Sequence, residues 1–245
     1  MVKSYNAYQL KLAMAGLMVL DHLKLIPDFI PDQLSMVFHM VTRCVAVFFA
    51  YMLVEGFLHT RNVKAYLLRL YCAAGLMATG NAFINSLYQS KGIYISNNIF
   101  LTLAVGLTML ICLKEFKNNS KTRQVIQVVL AGLCLIVGSA FTEGGAVVLP
   151  FILITYLGRK TPFKRNFAYI MLALLLLLSS YHPYESIEMT IQMMLFNADW
   201  LFILVLPILG LYNGQAGPRT TFSRYFFYIF YPLHLWILAT IGYFL

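Results

Sequence analysis

Charge is what this sequence lacks most. Only 11% of its 245 residues are Asp, Glu, Lys or Arg, against about 25% in an ordinary soluble domain. A soluble fold could bury much of a composition that is 60% hydrophobic, but it would still need a charged coat. Eighteen basic and nine acidic side chains cannot supply one. Cysteine is also sparse, and Cys44, Cys72, Cys112 and Cys134 all lie inside apolar blocks with no CxxC spacing. That excludes a disulfide framework and a thiolate metal site in favour of buried thiols. Low-complexity segments and clear internal repeats are missing too.

What the chain does have is apolar blocks long enough to cross a bilayer. Their pattern predicts helices near 8–26, 34–58, 65–87, 97–114, 124–141, 145–157, 167–182, 198–212 and 225–244. Pro27 and Pro31, Gly92, Asn118-Asn119, Gly144-Gly145, Pro162, Pro183 and Gly214 with Gly217-Pro218 separate them. At about 20 residues per span, nine helices leave only short connections and no room for a separate soluble domain. The expected fold class is therefore all-α, a polytopic membrane protein with about nine transmembrane helices in one bundle, forming a single domain over residues 1–245. Around Glu143-Gly144-Gly145 the chain reads either as a tight turn between two helices or as a re-entrant turn. The first block has the Lys3 and Lys11 of a signal peptide, but Asp21-His22 interrupts it and no A-x-A site follows. It is expected to be a mature helix.

The basic residues sort by connection. Lys3, Lys11, Arg61, Lys64, Arg69, Lys114, Lys117, Lys121, Arg123, Arg159, Lys160, Lys164, Arg165, Arg219 and Arg224 fall on one side of a nine-span layout. Asp28, Asp32, Glu185 and Glu188 fall on the other, and Lys24, Lys91 and the intramembrane Arg43 are the three basic exceptions. The positive-inside rule makes the basic side cytoplasmic, with the amino terminus inside, the carboxyl terminus outside and the cell membrane as the location. This explains a net charge of +9 without nucleic acid as a partner; the lipid bilayer is the partner expected.

Ionisable groups at membrane depth cost at least about 2.5 kcal/mol each unless they face a cavity or one another, so each needs a reason. The first helix carries Asp21-His22 and the second carries His39 and Arg43, four apart on one face. Asn98 and Thr102 open the fourth, Glu143 ends the fifth, and His182 ends the seventh. An inner group comprises Glu55 and His59, again four apart, with Arg61 and Asn62. His234 follows Tyr231-Pro232 in the last helix. Plainer readings exist for several: Arg43 neutralising Asp21, Glu55 to Arg61 as a helix-end charge cluster, Tyr231-Pro232 as a kink. Asp21-His22 is hardest to read plainly, because an acid beside an imidazole in an apolar helix suits proton transfer near neutral pH.

Several stretches resemble one family in order along the chain. They are Leu17-Met18-Val19-Leu20-Asp21-His22, Arg43 through Val54-Glu55-Gly56-Phe57-Leu58-His59-Thr60-Arg61-Asn62, Asn98-Ile99-Phe100-Leu101-Thr102-Leu103, Glu143-Gly144-Gly145, Leu211-Tyr212-Asn213-Gly214 and Phe227 to Leu235. Together they resemble the TraX family, named for the enzyme that acetylates the amino terminus of F-type pilin, itself similar to the larger set of integral membrane acyltransferases. The sequence departs from the family pattern at Val47-Phe48-Phe49, where a Phe-Pro step is usual, and at Glu143-Gly144-Gly145, where an Asp-Tyr-Gly type is usual.

The resemblance implies an acetyl-CoA-dependent acetyltransferase without a metal. It would move acetyl from cytosolic acetyl-CoA to a hydroxyl or amine at the outer side, on a glycan, a lipid head group or a protein amino terminus. His22 would be the base or acetyl carrier, Asp21 its orienting acid, and Arg43, Asn98, Thr102 and Glu143 the remaining catalytic candidates. Arg61, Asn62, His59 and Arg219 would meet the cofactor, with His39, Glu55 and His234 as secondary candidates. Two other classes compete: a proton-coupled transporter or channel built on Asp21, His22 and Arg43, and a non-catalytic assembly protein. Transporters typically show paired halves with related broken helices, which this chain does not.

Overall fold

In a computed structural model the protein is all-helical, described over residues 4–114, 120–218 and 220–245. The α-helices are α1 (Ala7–His22), α2 (Asp32–His59), α3 (Val63–Tyr88), α4 (Ile99–Lys114), α5 (Lys121–Phe141), α6 (Gly145–Leu157), α7 (Pro162–Ser180), α8 (Ile187–Phe196), α9 (Val205–Leu211) and α10 (Thr221–Phe244). Short 3-10 segments cover Leu23–Leu25, Gln89–Lys91 and Ala198–Leu204.

Polar residues at the breaks start these helices by accepting the backbone N–H groups that a helix end leaves unpaired. Asn6 and Gln9 form a reciprocal capping box on α1, and Thr220 and Ser223 form one on α10. Ser186 caps α8 through the Met189 N–H, and Asn62 caps α3 through the Ala65 N–H at 2.9 Å. Pro162, expected as a break, is instead the first residue of α7, where its missing N–H costs nothing. Between α5 and α6 the chain turns through Gly144 at φ +60°, a left-handed conformation that favours glycine.

Each of the nine predicted segments is helical. The one predicted over 198–212 is a 3-10 segment followed by α9. Helix α8 lies in a stretch expected to be loop, because Glu188, Thr190 and Gln192 break its apolar run after Pro183. The number of crossings is a separate matter. Among the described residues, five helices are long and apolar enough to span a membrane (α2, α3 with its 3-10 extension, α5, α7 and α10); α8 and the segment after it, bent by 56°, form either a broken sixth span or a re-entrant loop. Nine spans are not supported. The 16 residues of α4 and the 13 of α6 rise about 24 and 20 Å, short of an apolar layer about 30 Å thick.

The chain divides into two compact units. One comprises residues 1–48, 81–96 and 166–245, and the other residues 49–80 and 97–165. In the second, α4, α5 and α6 pack mutually. Helices α4 and α6 bury residues all around, Leu107, Leu110, Leu149, Phe151 and Ile152 being fully inaccessible. A helix enclosed by protein need not match a bilayer, which is why these two can be short. By contrast α5 presents Val125, Val129, Leu133, Ile136 and Phe141 outward, an apolar face suited to lipid.

The first unit is organised around α10, which packs on α1 and on the 3-10 turn after it. The end of α3 joins them through Tyr88, which stacks on Tyr243 with centroids 4.5 Å apart and pairs with the Thr240 hydroxyl at 2.9 Å. Trp236 donates to Asn81 at 2.9 Å. A Cβ on Gly242 would stand 2.3 Å from the Leu25 carbonyl oxygen and 3.2 Å from the Ile26 Cα, so only glycine permits this approach. Gly242→Ala should therefore push α10 off the turn, at an overpacking cost of about 1–3 kcal/mol. Thermal denaturation of purified protein in detergent measures it, and an unchanged midpoint would mean that the contact yields freely.

Candidate functional site: a buried histidine pair beside an ion-pair network

The first unit gathers five of the sequence candidates. Asp21 and His22 end α1, His39 and Arg43 lie one turn apart on α2, and His234 lies two residues after Pro232 on α10. Their bonds divide them into two groups.

His22 and His234 are both buried and their rings meet edge to face with centroids 5.0 Å apart. His22 Nδ1 lies 2.8 Å from the Met18 carbonyl oxygen and 3.1 Å from His234 Nε2. His234 Nδ1 lies 3.0 Å from the Phe230 carbonyl oxygen. A carbonyl can only accept, so each Nδ1 carries a proton and donates to the backbone one turn back. In the neutral ring His234 Nε2 is then an acceptor, and it shares the His22 Nδ1 proton. These partners assign both tautomers. The basic nitrogen of His22 is Nε2. His234 is clamped further by Phe230, whose ring stacks on it at 5.2 Å, and by Tyr231 at 5.6 Å. It also lines an apolar groove of about 620 Å³ along α10 that runs from Thr221 and Phe222 past Phe226 and Phe230 to Ile237.

The second group is ionic. Arg43 Nη2 donates to Asp21 Oδ2 at 3.2 Å, Nη1 to Asp199 Oδ1 at 3.5 Å, and Nε to the His39 carbonyl at 3.0 Å. All three guanidinium nitrogens are thus engaged. The Asp21 and Arg43 side chains are 15% and 24% exposed, so this pair is far drier than an ordinary surface ion pair. His39 Nε2 donates to the Phe196 carbonyl at 3.1 Å, while its Nδ1 stands 3.7 Å from Asp21 Oδ1. That separation is too long for a hydrogen bond, and Asp21 Oδ1 is a buried acceptor without one.

Asp21 is therefore held by Arg43. The partners that orient His22 Nδ1 are a main-chain carbonyl and His234. Sequence reasoning assigned that orienting role to Asp21 and ranked His234 lower. It missed Asp199 altogether, an acid at the start of an apolar block whose only signal was Trp200 beside it.

The second unit gathers Asn98, Thr102 and Glu143. The Asn98 amide donates to the Ala74 carbonyl at 2.9 Å and its oxygen accepts the Leu101 N–H at 3.3 Å. The Thr102 hydroxyl, wholly buried, donates to the Glu143 carbonyl at 2.7 Å. The Asn97 amide donates to the Glu143 carboxylate at 2.6 Å. These contacts fasten the start of α4 to α3 and to the α5–α6 turn.

Glu55, His59, Arg61 and Asn62 lie where α2 gives way to α3. There His59 Nδ1 donates to the Glu55 main-chain carbonyl at 2.8 Å rather than to its carboxylate, Asn62 is the cap of α3, and Arg61 is exposed. Arg219 lies outside the described residues.

An all-helical fold with helices long and apolar enough for a membrane, carrying a buried histidine pair, defines an integral membrane protein with polar chemistry inside it. The chain belongs to the TraX family: the family model for the TraX protein matches residues 7–242. It is also similar, at 26% identity over 251 residues, to a probable fimbrial assembly protein FimC, serogroup H1, of Dichelobacter nodosus, covering 98% of this chain and 97% of that one. No solved structure matches the chain.

Proposed function

We propose that the protein is an integral membrane acetyltransferase that takes acetyl from acetyl-CoA on the cytoplasmic side and gives it to a hydroxyl or amine on the outer side. The observation that carries this reading is the tautomer of His22, which makes Nε2 a base inside an apolar protein. TraX family membership supports it.

In the reaction, the acceptor O–H or N–H gives its proton to His22 Nε2 as its oxygen or nitrogen attacks the thioester carbonyl. The tetrahedral intermediate then expels the CoA sulfur, the C–S bond breaks, and the imidazolium returns the proton to the thiolate. Throughout, Met18 O and His234 Nε2 hold His22 Nδ1–H, the place an acid takes beside the base in other acyl transfers. Arg43, Asp21 and Asp199 keep the end of α1 in register.

Incubation of the purified chain with acetyl-CoA and measurement of free thiol tests the reading. Thiol release above a heat-treated control is expected, and its absence with every acceptor class (glycan, lipid head group, peptide amino terminus) would overturn it.

The relative's name favours a second reading, participation in fimbrial assembly without catalysis. Loss of fibres in a deletion strain, restored fully by a His22→Ala chain, would select it.

A further inference from the structure

Helix α10 has two unlike faces. Tyr231, His234, Leu235, Leu238 and Ala239 are buried, while Phe222, Ile229, Leu233 and Ile237 are exposed. Because α10 is long and apolar enough to span a membrane, its exposed face stands at bilayer depth. The groove of about 620 Å³ lies on that face. His234 borders both, lining the groove on one side and meeting His22 on the other.

The groove is built on a ladder of rings one helical turn apart. Phe222 and Phe226 have centroids 5.2 Å apart, Phe226 and Phe230 5.3 Å, and Phe230 and His234 5.2 Å. The last two pairs are stacked, with planes 22° and 11° apart. Displacing one rung of such a stack presses on the next, and the final rung is the ring that accepts from His22 Nδ1.

Three features choose the occupant. Besides His234, the lining residues with polar side chains are Thr221 and Tyr225, both in the first two turns of α10. A peptide or a sugar would leave its polar groups unmatched along the rest, whereas a hydrocarbon chain has none to match. Charge marks the same end. Arg224 lies early in α10, and the Lys11 ammonium rests 5.7 Å from the Phe227 ring, which touches Phe226 with centroids 4.9 Å apart. Basic groups at a membrane border attract anionic head groups, and a lysine stem can lie along apolar surface while its ammonium reaches the head-group level. Length selects the chain. One leaflet is half of a layer about 30 Å thick, or about ten helical residues, so a chain that enters beside Thr221 ends near Phe230 and His234.

We propose that the groove binds one acyl chain of an anionic phospholipid, with the head group at Lys11 and Arg224 and the chain end against Phe230 and His234. The chain holds the ladder in place, and with it the ring that orients His22; that consequence for catalysis rests on the acetyltransferase reading.

The test uses the full chain purified in detergent, with dioleoylphosphatidylglycerol and dioleoylphosphatidylcholine as probes; the two carry the same chains and differ in head-group charge. Native mass spectrometry should show one phosphatidylglycerol held per chain, about tenfold or more tighter than phosphatidylcholine, the scale of two cations near an anionic surface. The double variant Lys11→Gln with Arg224→Gln should bind the two lipids alike. Leu233→Trp and Ile229→Trp, each filling the groove, should lose the held lipid at an unchanged thermal midpoint. In nanodiscs, thiol release by wild type should rise when phosphatidylglycerol replaces phosphatidylcholine, and in Leu233→Trp it should be indifferent to the exchange. Equal binding of the two lipids by wild type, or a lipid still held in both tryptophan variants, would overturn the site. So would a dimer that the tryptophan variants split, which makes a second copy the occupant. Wild-type thiol release indifferent to lipid would overturn the link to His22. Lipid binding as expected, with no thiol released by wild type in either lipid, would overturn the acetyltransferase reading and leave the lipid site standing.

Discussion

His22→Ala is expected to reduce acetyl transfer by about 10²- to 10⁴-fold, the usual contribution of a positioned acid–base group, while the protein remains inserted and folded. Removing the ring leaves Met18 O and His234 Nε2 at 2.8 and 3.1 Å from a missing donor. Both are acceptors a water can satisfy, so the loss falls on chemistry rather than on stability. His234→Ala should act through His22, lowering kcat by a smaller factor, with partial rescue in His234→Gln, whose amide can still accept from His22 Nδ1. An acetyl carrier would label with radioactive acetyl-CoA in the absence of acceptor, and a general base would not. Near wild-type turnover in His22→Ala would make the pair structural and send the search for the base to His39.

The second large effect is on stability. Arg43→Met should leave Asp21 as a largely buried carboxylate without its cation, with Oδ1 already lacking a hydrogen bond. Breaking one side of such a pair costs about 3–5 kcal/mol, enough to remove a large share of a typical folding free energy. The double variant Asp21→Asn with Arg43→Met strands no acid and should recover most of the loss, although Asp199, more exposed, still loses its partner. Comparing thermal midpoints of the single and double variants in detergent checks this. Equal destabilisation in both would show that Asp21 carries no cost when left alone.

The Asp21–Arg43 pair was legible in the sequence because a buried acid demands a cation and α2 offered Arg43. Helix positions were legible for the same kind of reason: apolar blocks bounded by Pro, Gly and Asn leave few alternatives. Three things were hidden by their physics. Composition along one segment cannot tell a helix enclosed by protein from one facing lipid, so α4 and α6 read as spans. Polar residues that close helix ends look the same in sequence as polar residues that do chemistry, and the main-chain bonds of Asn98, Thr102 and Asn62 could not be read there. The pairing of His22 with His234 left no local trace, since the fold alone joins residues 212 positions apart.

That separation has a consequence for how the protein is made. At about 5–20 residues per second, a ribosome that has finished His22 needs roughly 10–40 s more to reach His234. Through that interval His22 can bond the Met18 carbonyl one turn back but lacks its second partner, which is placed only when α10 arrives and Gly242 seats against Leu25. A nascent chain caught before that moment would hold His22 with only its main-chain partner, so the pair is among the last contacts of the fold to form.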